Sequence, residues 1–63
     1  MKFKVGDLVV GNHKSRYPIT REGWRGKVSH VCADGYHIYV KALPGHPGSD
    51  TEFLVGSRYF DLL

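Results

Sequence analysis

The chain has 63 residues, of which 41% are hydrophobic and 24% charged, with nine Lys and Arg against six Asp and Glu for a net charge of +3. That length is one domain with a small core, so a multidomain enzyme is excluded, and the composition is too apolar for a disordered tail. No 18-residue apolar run is present to make a membrane-spanning helix, and the single cysteine, Cys32, rules out an internal disulfide framework.

No segment carries a helical period over eleven or more residues. Short β-rich runs between Gly, Pro and Asp recur instead, and they predict five strands. The first covers residues 8–12 and is entered through a turn at Val5-Gly6-Asp7. Gly6 takes a positive φ there without strain, and Asp7 can bond its own backbone. Phe3, Val5 and Val9 are expected to face the core. Leu8 and Val10 then point to the opposite face, because successive strand residues alternate. A long connection from Gly11 to Gly26 follows. Its Tyr17-Pro18 pair is extended, because the residue before proline avoids the α region. Ile19 is expected to drop inward. Thr20 to Gly23 reads as one helical turn, with Thr20 as N-cap and Gly23 as left-handed exit.

The second strand is placed at 26–33 and the third at 36–42, joined at Asp34-Gly35, a signal for a two-residue type I′ hairpin. The spacing of Val28 and Val31 breaks strict alternation, and a bulge near Ser29-His30 would turn both valines inward. Tyr36, Ile38 and Val40 share one face of the third strand; His37, Tyr39 and Lys41 share the other. Residues 43–50 contain two Pro-Gly turns and little to bury. The fourth strand covers 51–55 with Phe53 and Val55 inward, and residues 56–60 suit one 3₁₀ turn. Asp61-Leu62-Leu63 forms a last strand closing onto the first. The expected core is Phe3, Val5, Val9, Ile19, Val28, Val31, Ile38, Val40, Phe53, Val55, Phe60 and Leu62.

Three stretches carry a likeness: Phe3-Lys4-Val5-Gly6-Asp7-Leu8-Val9-Val10, Gly26-Lys27-Val28, and Tyr59-Phe60-Asp61-Leu62. With Ile19-Thr20-Arg21-Glu22-Gly23-Trp24 they resemble the small SH3-like β-barrel proteins of bacteriophages and prophages of Gram-positive hosts, most of which have no assigned function. The resemblance implies an all-β, SH3-like five-stranded barrel in a single domain, with one long first loop and a 3₁₀ turn before the last strand. Gly26-Lys27-Val28 also resembles the strand entry of KOW-type nucleic-acid-binding barrels. The chain departs from the eukaryotic SH3 pattern, having no paired acidic residues in its first loop and no tryptophan beside a proline-binding aromatic ladder. Recognition of PxxP segments is therefore not expected.

The positive charge is concentrated. Residues 13–27 hold Lys14, Arg16, Arg21, Arg25 and Lys27 against Glu22 alone, and they also carry His13, Tyr17 and Trp24. Cations interleaved with aromatics suit phosphates and stacked bases, so Lys14, Arg16, Tyr17, Arg21, Trp24, Arg25 and Lys27 are the candidate binding residues for nucleic acid or an acidic protein surface. Trp24 can instead serve as a packing lid, the commoner fate of a single tryptophan in a small domain. Leu8, Val10 and Tyr39, with Leu54 beside them, are a candidate protein or homodimer interface on the outer strand face. His30, Cys32 and His37 are too few and too irregularly spaced for a zinc site, so no metal or other cofactor is expected. Cys32 and a histidine have no orienting Asn or Asp at a recognisable spacing, and so short a chain leaves little room for a pocket of ~300 Å³, so catalysis is not expected. With no apolar leader in the first six residues and one cysteine, the expectation is a non-enzymatic binding module in the cytoplasm of a host cell, without membrane contact.

Overall fold

The computed structural model describes residues 3–63. The chain runs β1 (Leu8–Gly11), β2 (Arg25–Val31), β3 (His37–Ala42), β4 (Glu52–Gly56), a 3₁₀ turn (Ser57–Tyr59) and β5 (Phe60–Leu62). All pairings are antiparallel, and the strand order is β4-β3-β2-β1-β5. The fold is therefore all-β, one five-stranded antiparallel sheet with a long first connection and a single 3₁₀ turn. The hydrogen-bonded ladder stays open between β4 and β5. No helix among the described residues is long and apolar enough to cross a membrane.

The inner face collects Phe3, Val9, Trp24, Val28, Ile38, Val40, Val55 and Phe60, with Tyr17, Val31, Ala42, Phe53 and Tyr59 packed around them. The bulge in β2 falls where valine spacing required it. Val28 pairs with Val40, and His30 with Tyr39, so Ser29 is the extra residue and both Val28 and Val31 reach the inner side. The Ser29 hydroxyl donates to the Glu52 carboxylate and sits 3.3 Å from the Tyr39 carbonyl oxygen, so the bulge is stitched to β3 and β4.

Three expected core residues lie outside. Val5 is 65% exposed because it occupies the second position of a reverse turn closed by Asp7 N–H on the Lys4 carbonyl at 3.0 Å, with Gly6 at φ 96°. Ile19 is 41% exposed because Thr20 takes the inward place beside it. Leu62 is 50% exposed because β5 is a three-residue edge strand whose only strand neighbour among the described residues is β1. Tyr36, expected on the same face of the third strand as Ile38 and Val40, instead precedes β3 in the hairpin loop and is exposed.

Two turns differ from expectation as well. Asp34 has no positive φ, so the hairpin does not adopt type I′. Instead Gly35 N–H donates to the Cys32 carbonyl at 3.2 Å, Gly35 takes φ 78°, and Asp34 Oδ1 accepts from the Tyr36 and His37 amides. The Asp34 carboxylate organises the loop itself, which removes the need for a left-handed Asp. In place of the helical turn expected at residues 20–23, residues 21–24 form a reverse turn. Trp24 N–H bonds the Arg21 carbonyl at 3.0 Å, and Gly23 supplies the left-handed position.

Candidate binding face

The connection between β1 and β2 is pinned at its base. Gly11 N–H donates to the Trp24 carbonyl at 2.8 Å and Gly23 N–H to the Gly11 carbonyl at 3.0 Å. Trp24, a candidate for base stacking, is instead 3% exposed. Its ring meets Phe53 and Phe60 edge-on at 5.9 and 6.1 Å, and its Nε1 donates to the Pro47 carbonyl at 3.0 Å. It is removed from the binding set, since the core offers its large ring more burial than a surface position does.

Higher up, the buried Ser15 hydroxyl donates to the Thr20 carbonyl at 2.6 Å and folds residues 16–19 into a tip. The tip is tied to the sheet through Tyr17. Its hydroxyl accepts the Gly56 amide at 3.0 Å, and its ring packs edge-on against Tyr59 at 5.6 Å. Tyr17 is thus a half-buried wall, less free than its place ahead of Pro18 suggests.

Three depressions surround the Tyr17-Pro18 ridge. One of about 480 Å³ is lined by Ser15, Arg16, Tyr17, Pro18, Arg21 and Glu22. A second of about 340 Å³ is lined by Lys14, Arg16, Tyr17, Pro18 and Tyr59. The third, about 140 Å³, is apolar and lies between Tyr17, Pro18 and Ile19 on the loop and Phe53 and Leu54 on β4. All are open to solvent, and the first two are larger than so short a chain leads one to expect, because the folded tip supplies walls the sheet lacks.

Lys14, Arg16 and Arg21 are exposed and form no ion pair with any carboxylate among the described residues. Arg16 spends one guanidinium N–H on the His13 carbonyl at 3.2 Å, and Glu22 shares a depression with Arg16 and Arg21 without bonding either. Two residues not singled out from sequence join this face. Tyr59 forms a wall, and the Arg58 guanidinium lies 5.8 Å from the centre of its ring. The signal available in the sequence was Arg58-Tyr59 in the 3₁₀ turn, but its proximity to Tyr17 arises from folding alone.

The other candidates separate from this face. Arg25 and Lys27 are on β2, opposite Val10 and Leu8, with their side chains on the outer face of the sheet. Lys27 stands between Leu8 and Lys41 in a cross-strand row, so it splits the expected apolar face in two. Leu8 and Val10 remain on one side; Tyr39 and Leu54, paired across β3 and β4, remain on the other. The histidines considered as ligands are engaged elsewhere. His30 packs on Tyr39 at 5.7 Å, and His37 Nδ1 meets Asp34 Oδ2 at 2.6 Å. Among the described residues no three His, Cys, Asp or Glu side chains converge. Asp34 is held below the ordinary carboxylate range, chiefly by the Tyr36 amide and next by the His37 ring. No protein-family model, curated protein or solved structure matches the chain.

Proposed function

We propose that the chain is a non-enzymatic binding module of SH3-like barrel type that docks on nucleic acid through the loop between β1 and β2. The observation that carries this is the set of unpaired cations, Lys14, Arg16 and Arg21, around the Tyr17-Pro18 ridge. Cations without carboxylate partners are free to displace counterions from phosphates, and the Tyr17 and Tyr59 walls offer aromatic surface to unstacked bases. A single strand suits these concave depressions better than a duplex, whose bases are already stacked. Strand order, long first loop and 3₁₀ turn support the SH3-like reading. The resemblance to phage and prophage barrels supports a role inside a host cell. Arg25 and Lys27, on the outer face, do not belong to the primary contact.

The experiment is fluorescence anisotropy of a labelled twelve-nucleotide oligothymidylate across a salt series. Three or four phosphate contacts give a log–log slope of about −2 to −3. Arg16→Ala with Arg21→Ala should weaken binding by about tenfold or more at unchanged melting temperature. A salt-independent affinity, or wild-type binding by the double variant, ends the proposal.

A further inference from the structure

We propose that the outer edge of β4 is a second docking site, which takes an acidic extended peptide as an added strand. This goes beyond the nucleic-acid reading and does not depend on it. The phase of the hydrogen-bond ladder carries the inference. Ser57 N–H donates to the Tyr36 carbonyl at 2.7 Å, and Cys32 N–H to the His37 carbonyl at 3.0 Å. Residues of an antiparallel strand bond alternately to one side and the other. His37, Tyr39 and Lys41 therefore turn their backbone toward β2, and Ile38 and Val40 turn theirs toward β4. On β4, Phe53 and Val55 face β3, while Glu52, Leu54 and Gly56 present N–H and C=O to the open edge. Gly56 bears out this phase, since its amide donates to the Tyr17 hydroxyl across that edge. Leu54 has no equivalent partner among the described residues, and its side chain is 53% exposed.

An unpaired backbone donor and acceptor in a strand edge form a template for another strand, the mode by which extended peptides add to sheets. Here the template lies beside the apolar depression between Ile19, Pro18, Phe53 and Leu54, which offers room for an apolar side chain of an incoming strand. Charge selects the occupant. Arg16 and Arg21 flank the same Tyr17-Pro18 ridge without carboxylate partners. A strand with Asp or Glu on either side of an apolar residue sets its carboxylates toward those arginines, which line the adjoining depression that shares Tyr17 and Pro18 with the apolar one. A second copy of this chain carries a net charge of +3 and sets cations against cations.

The test uses the full chain made by chemical synthesis with N-methyl-leucine at position 54, which deletes one outward N–H and leaves the β3–β4 ladder intact. The probes are a labelled Glu-Val-Glu-Val-Glu-Val-Glu peptide, its Lys-for-Glu counterpart, and the oligothymidylate. The acidic peptide should bind the unmodified chain about tenfold tighter than the basic one, and N-methylation should weaken it by about fivefold or more. Leu54→Ala should weaken it by about threefold through lost apolar contact. Melting temperature and oligothymidylate binding should not change. Equal affinity for native and N-methylated chains, no preference for the acidic peptide, or no binding at millimolar peptide overturns the proposal. So does a concentration-dependent dimer abolished by N-methylation, which gives the edge to a second copy. Wild-type oligothymidylate binding by the Arg16 and Arg21 double variant ends the nucleic-acid reading alone, whereas equal peptide affinity of the native and N-methylated chains ends this one alone, so the two proposals fail separately.

Discussion

The two connectors on either side of β2 use charge in opposite ways. In the β2–β3 hairpin, Asp34 accepts the Tyr36 and His37 amides and meets the His37 ring, so its carboxylate is consumed inside the loop. In the β1–β2 connection the bonds that shape and anchor the loop are mostly neutral: Ser15 to Thr20 within it, Tyr17 to Gly56 and Asn12 to the Arg58 carbonyl at 3.0 Å beyond it, with one Arg16 N–H on the His13 carbonyl as the exception. Its cations meet no carboxylate among the described residues. A short loop needs its charged side chain to define the turn. A long loop is shaped by backbone and hydroxyl bonds, and its charged side chains remain available to a ligand.

The largest test of that contrast is at the base of the long loop. Trp24→Ala should cost about 3–5 kcal/mol, most of what a domain this small possesses, because it empties the core and frees the Pro47 carbonyl together. An unchanged urea midpoint would show that the loop does not depend on this anchor. Gly26→Ala comes next. A Cβ there runs into the Trp24 ring and lies 2.7 Å from the Lys41 carbonyl oxygen. Overpacking of this kind costs about 1–3 kcal/mol, read from the same midpoint. Tyr17→Phe removes the acceptor of the Gly56 amide and should cost about 1 kcal/mol. It should also speed hydrogen exchange at Gly56, and exchange at the wild-type rate would mean that the tip is held by ring packing alone.

The smallest effect belongs to the hairpin. Asp34 is depressed below its unfolded value, so its contribution is present above the ordinary aspartate range and is lost as pH falls through the folded value. Asp34→Ala should therefore lower the melting temperature at neutral pH, and the difference from wild type should shrink below about pH 4. A difference that persists unchanged into acid would separate the turn from the charge.

How much of this was legible in the chain follows from the range of each interaction. The β2 bulge was readable because two valines three apart cannot share a strand face without one extra residue. The 3₁₀ turn and the left-handed Gly23 were readable because turn chemistry is local. Val5 was misplaced because it sits in a turn, where the backbone bond decides which way a side chain points, and Ile19 because the neighbouring Thr20 takes the inward place. The basic run was visible as a cluster along the chain, but strand geometry dealt its members to two places. Lys14, Arg16 and Arg21 stayed with the loop, while Arg25 and Lys27 went to the outer face of β2.

Strand number, the bulge, the places of the turns though not all of their types, and the excess of positive charge in one segment were determined by local propensity and periodicity, which act over a few residues. The burial of Trp24, the meeting of Tyr17 with Tyr59, and the outward amide of Leu54 were decided only by the tertiary structure. Each depends on residues tens of positions apart, and only a specific register of β3 on β4 and a specific path of the loop over the sheet bring them together.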